Sequence, residues 1–165
     1  MWKNCRVSVS ILGILALLLV PTVVLGATTA TVDVNATPQF VSIAVNVSAH
    51  DFGVVAASST ENTGTANFGI TNVSTVETDN TIVADGWSGT SSWTWGTAGE
   101  NTALLNASDG DGAYDVEVDD TTPIALSSAV AASTNWEFEL QLEAPTVFTH
   151  GAEQTTTVTI SAAAT

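Results

Sequence analysis

The chain predicts an all-β fold, a single antiparallel β-sandwich of about eight to ten strands in an immunoglobulin-like or jelly-roll arrangement. Three observations lead there. Apolar and polar residues alternate with period two along most of the chain, the mark of strands with one buried face, and no segment has a helical period. Val and Thr dominate these stretches, and β-branched side chains fit a pleated, half-buried surface. Clusters of turn formers interrupt them at residues 58–64, 85–89 and 109–112, the spacing expected of a sandwich or barrel.

The first 26 residues read as a secretory signal. Lys3 and Arg6 form a basic start, residues 7–25 an apolar run, and Val24-Leu25-Gly26 a small-residue cleavage site. The competing reading is an uncleaved membrane anchor, because the run approaches the ~20 apolar residues that span a bilayer. Pro21 and the small residues after it favour cleavage, and secretion to the cell surface is the expected destination. Cys5 precedes the apolar run, so the processed chain has no thiol and no disulfide. The C-terminal tail has neither a long apolar helix nor a basic stop sequence, so no membrane anchor is expected in the mature chain.

After the leader, residues 27–37 read as an extended N-terminal strand and residues 38–165 as one sandwich domain. The clearest strand covers residues 135–143, where Trp136, Phe138, Leu140 and Leu142 share one face and Glu137, Glu139, Gln141 and Glu143 the other; Pro145 ends it. Val41, Ile43, Val45 and Val47 alternate with polar or small residues in the same way, as do Tyr114, Val116 and Val118. Shorter strands are expected at 31–36, 66–72, 80–84, 92–95, 102–105 and 155–162.

The charge is one-sided. Against 17 Asp and Glu the chain has two strong bases, giving a formal charge of −15, and both bases lie in the leader. Beyond residue 26 no carboxylate can pair with Lys or Arg, so each must be solvated, accept hydrogen bonds, or bind an external cation. Nucleic acid is excluded as a partner, because binding to phosphate is driven by Lys and Arg.

Two segments carry a family resemblance. Asp51-Phe52-Gly53-Val54-Val55, then Ser58-Ser59-Thr60 and Phe68-Gly69-Ile70-Thr71-Asn72-Val73-Ser74, resemble the opening of secreted microbial immunoglobulin-like sandwiches. Trp136-Glu137-Phe138-Glu139-Leu140 with Ala144-Pro145-Thr146 is similar to the final hairpin of TasA/camelysin-like biofilm fibre subunits, archaeal bundling pilins and WxL surface domains. The resemblance implies a structural subunit that assembles with copies of itself by donor-strand exchange, one N-terminal strand completing the next subunit's sheet. Thr31, Val32 and Val34 would then be assembly residues, since an added strand satisfies an open edge while alternate side chains fill a groove. The other reading makes residues 31–36 the first strand of their own sandwich.

Further candidates come from the residues themselves. Asp109, Asp111 and Asp115 lie on a glycine-containing segment spaced to converge on calcium; the alternative is a hairpin turn with solvated aspartates. Asn35, Asn46, Asn72 and Asn106 each head an N-glycosylation pattern. Trp87, Trp93 and Trp95 are either a platform for surface glycans or core packing. The alternative function is thus a secreted adhesion or carbohydrate-binding module. Catalysis is not expected: His50 and His150 lack zinc-ligand spacing, and no nucleophile elbow or phosphate loop occurs.

Overall fold

The computed structural model describes residues 31–64, 68–110 and 112–165. The chain divides into two compact units, Met1–Ala36 and Thr37–Thr165. Of the first, residues 31–36 are exposed and belong to no strand, so the strand expected there does not form within the chain. Residues 1–30, which include the expected leader, lie outside the described residues. Among the described residues no helix is long and apolar enough to cross a membrane.

The second unit is all-β, built from ten strands among the described residues: β1 (Ile43–Val45), β2 (Thr60–Asn62), β3 (Phe68–Asn72), β4 (Thr78–Ala84), β5 (Thr94–Trp95), β6 (Thr102–Ser108), β7 (Tyr114–Val118), β8 (Ile124–Val130), β9 (Asn135–Glu143) and β10 (Val158–Ala164). A seven-stranded sheet runs β1-β3-β9-β6-β5, with β2 also paired to β9 and β7 to β6; β10-β4-β8 form a second sheet of three. The core holds Phe68, Ile70, Ala103, Leu105, Ala107, Val118, Phe138, Leu140 and Leu142 from the large sheet with Ile82, Ala84 and Leu126 from the small one. That is a sandwich, as the alternation requires.

One ladder departs from the antiparallel expectation. β5 pairs parallel with β6, Thr94 with Thr102 and Trp95 with Ala103. The β5 ladder is only two pairs long, and the segment between the two strands holds Gly96, at φ +141°, and an isolated Gly99–Thr102 bridge.

β9 spans the residues expected of it, with Phe138, Leu140 and Leu142 buried and Glu137 exposed. β2 and β3 run along it as one interrupted strand. At the interruption the Leu140 N–H donates to Thr63 Oγ1 (3.1 Å), a side-chain hydroxyl standing in for a backbone carbonyl.

The two sheets differ in width, and their outer strands show it. On β1, Ile43 and Val45 stand opposite Asn72 and Ile70, both fully buried, so they face the interior side. Yet Ile43 is half-buried and Val45 is 45% exposed. On β10, Val158, Ile160 and Ala162 stand opposite the buried Ala84, Ile82 and Asn80 and are likewise only half-buried. The expected long, one-sided strand at 41–47 is therefore a three-residue edge strand whose interior face is partly open.

Candidate functional site

Two open edges are the first candidate site. Among the described residues β1 pairs only with β3 and β10 only with β4, so each leaves one row of backbone N–H and C=O groups without a strand partner. An open edge invites an added strand. Residues 31–36 have the matching character: unpaired, alternating, with Val32 82% and Val34 86% exposed. Phe40 and Val73 add exposed apolar surface next to β1.

The tryptophans form a packed cluster. Trp87 meets Trp93 edge-on at 5.2 Å and Trp95 at 4.8 Å, and Trp93 stacks on Phe148 at 5.7 Å. All three tryptophans are half-buried against the core, and Trp95 Nε1 donates to the Asp85 carbonyl (3.0 Å). Their ring faces are largely spent on one another, which suits packing better than glycan stacking. A second aromatic row, Trp136 on Phe138 (5.9 Å) and Phe138 on Phe68 (5.1 Å), runs along β9 and β3.

The acidic turn takes a form of its own. Asn106, Ala107 and Ser108 belong to β6, so the turn begins only at Asp109. Ser108 Oγ accepts from Gly112 N (3.1 Å) and Gly110 N (3.4 Å), and the turn relies on glycine where φ reaches +96° at Gly110 and +85° at Gly112. Asp109 and Asp115 are exposed; Asp111 lies outside the described residues. Among the described residues no three acidic, histidine or cysteine side chains converge on a common point.

The four glycosylation patterns separate by burial. Asn35 and Asn46 are exposed. Asn72 is 0% exposed; its Nδ2 donates to the carbonyls of Val130 (2.7 Å) and Val76 (3.0 Å), and its Oδ1 accepts from Ser74 N (2.9 Å). A glycan on Asn72 has no room in this fold, and Asn106, 8% exposed in the middle of β6, is poorly placed as well. Asn72 is committed to bracing backbone groups at the end of β3, and Asn106 stands within β6. Asn46 is partly committed too: its Oδ1 accepts from Gly69 N (2.6 Å), extending the β1 edge by one side-chain rung.

Across the outer face of the large sheet, the Tyr114 hydroxyl donates to Glu139 Oε2 (2.5 Å). That hydrogen bond, with burial and the nearby negative charge, pushes the phenol up from 10.0 to about 12. At the end of β7, Asp119 Oδ1 accepts from the Thr121 hydroxyl (2.7 Å) and N–H (2.9 Å), which holds its carboxyl below the usual range against a small opposing effect of burial.

An open groove of about 360 Å³ was not foreseen from sequence. It is lined by Asp109, Ala125, Leu126, Ser127, Ser128 and Trp136. Its β8 wall went unrecognised because Ile-Ala-Leu-Ser-Ser-Ala-Val does not alternate, and it does not alternate because the β4–β8 ladder slips register on both sides of Asn80. No protein-family model, curated protein or solved structure matches this chain.

Proposed function

We propose that this chain is an extracellular structural subunit that polymerises by β-strand complementation, with its N-terminal segment as the donated strand. The observation that carries the reading is the pairing of two half-open edge strands, β1 and β10, with an unpaired, exposed, alternating segment at residues 31–36 of the same chain. A second copy's segment would satisfy backbone groups along an edge while Val32 and Val34 cover interior-facing side chains such as Val45. Export by the leader at residues 1–26 fits an assembly formed outside the cell, and the absence of Lys and Arg beyond it fits an exterior resistant to trypsin-like cleavage.

The acidic exterior sets the conditions. Carboxylates without basic partners repel one another over about 8 Å at ~0.15 M salt. Calcium, high salt or acid should therefore favour the polymer, with calcium acting as a screening cation on carboxylates such as Asp109 and Asp115. The test is negative-stain electron microscopy of the chain from residue 27 onward, with and without calcium, beside a chain starting at residue 38. Regular filaments that vanish on truncation support the proposal; dispersed monomers under every condition refute it.

A further inference from the structure

We infer that the groove between β8 and Trp136 binds a neutral pyranose sugar. The groove lies where the β4–β8 ladder is irregular, and bulges of this kind re-aim side chains. β8 there presents Leu126, Ser127 and Ser128, and Trp136 of β9 and Asp109 of the β6–β7 turn form the other side. Trp136 is held by its stack on Phe138, so its ring is a fixed surface.

A second observation concerns how the groove wall is held. Asn80 is fully buried opposite Ser127; its Nδ2 donates to Ser127 Oγ (2.8 Å), while its Oδ1 has no hydrogen-bond partner. Asn80 lies behind the groove and does not line it, but its hydrogen bond fixes Ser127, which does. Accepting from Asn80 leaves the Ser127 hydroxyl hydrogen directed elsewhere.

The lining chemistry selects the ligand class. One indole ring and the exposed Ala125 offer an apolar surface, while Asp109 offers an acceptor and the Ser127 and Ser128 hydroxyls offer donor hydrogens. Pyranoses combine an apolar C–H face with a rim of hydroxyl donors. Phosphates and acidic sugars are disfavoured, because no Lys or Arg occurs beyond residue 6 to neutralise them. A quaternary ammonium ion would call for several aromatic faces around it, and the groove has one. The volume, at the small end of the usual ~300–1,000 Å³ for ligand pockets, suits one sugar ring rather than a long chain. This site does not depend on polymerisation.

The experiment is saturation-transfer NMR on the full chain with methyl glucoside, methyl mannoside, methyl galactoside and methyl N-acetylglucosaminide, with choline as the cationic comparison. Transfer to at least one sugar is expected, with a dissociation constant in the millimolar range and at least tenfold weakening in Trp136→Ala. Should Trp136→Ala lose its β-sheet circular dichroism, the double variant Asp109→Ala/Ser128→Ala, at exposed positions, should weaken binding at least threefold. No transfer to any sugar, binding unchanged in the double variant, dependence on Trp93 instead of Trp136, or preference for choline would each overturn the inference.

Discussion

β9 and β1 carry the same alternating signature and end up in different surroundings. β9 lies between β3 and β6, and its Phe138, Leu140 and Leu142 are buried. β1 is an edge strand, and Val45, which faces the interior side as they do, is 45% exposed. Alternation fixes which way side chains point. Whether they are covered depends on how far the opposing sheet reaches, and a three-stranded sheet does not cover the width of a seven-stranded one.

The largest test of this contrast compares Ile70→Ala with Val45→Ala, a cross-strand pair. Ile70 is fully buried, and truncating it should cost about 2–5 kcal/mol in urea unfolding of the monomeric chain. Val45 has little packing to lose, and its truncation should cost less than about 1 kcal/mol. Equal losses would mean that the β1 face is covered in the monomer and would remove the basis for an open edge. Val45→Lys sharpens the comparison: it should leave unfolding nearly unchanged yet suppress filament formation.

A smaller effect is expected at Asn72, which joins the end of β3 to the carbonyls of Val76 and Val130. Asn72→Ala removes the side-chain hydrogen bonds to the buried Val130 carbonyl, the part-buried Val76 carbonyl and the Ser74 N–H, a loss of about 1–3 kcal/mol by chemical denaturation. A loss near zero would mean that water replaces the side chain and that this end of the sandwich is as open as β1.

Much of the fold was legible in the chain, and what was missed has physical causes. Residues 135–143 emerged with the expected bounds because the β9 ladders are regular, and 114–118 emerged as a strand although its ladder to β6 shifts register between Ala107 and Ser108. β8 was hidden by its bulges, and β2 by lying among turn formers, where only its pairing to β9 makes Thr60-Glu61-Asn62 a strand. Residues 31–36 alternate like a strand and are not one, since periodicity cannot supply a pairing partner. The sites were less legible. An asparagine pattern does not reveal that Asn72 is a buried brace, and three nearby tryptophans do not reveal that their faces are turned on one another. The groove unites β8, β9 and the β6–β7 turn, which only the three-dimensional arrangement brings together.

The central sheet can also be probed from its outer face. Ser108 of β6 stands beside both Tyr114 of β7 and Glu139 of β9, so the Tyr114–Glu139 hydrogen bond spans the middle strand. The chain has one tyrosine, so its phenolate absorbance reports this contact alone. With the folded value raised to about 12 from 10.0, the contact's contribution to stability is complete below pH 10 and disappears as pH rises toward 12. In Glu139→Gln the phenolate should appear near pH 10. An unchanged titration would mean that Glu139 does not hold the hydroxyl.

The smallest effect is expected at the periphery, where Asp119 ties the end of β7 to Thr121 at the approach to β8. Its lowered value means that the folded state favours the charged carboxylate. The contribution is present above the unfolded value of about 3.9 and is lost as pH falls through the lower folded value. Asp119→Asn keeps an acceptor oxygen and removes the charge. Its melting temperature should fall slightly below that of the parent chain at pH 7, and the gap should close as pH drops below 4. A gap that persists in acid would assign the effect to geometry instead of charge. A gap as large as that of Asn72→Ala would make the β7–β8 link a structural brace of the same rank, and stability would no longer decline from the doubly paired centre toward the edges.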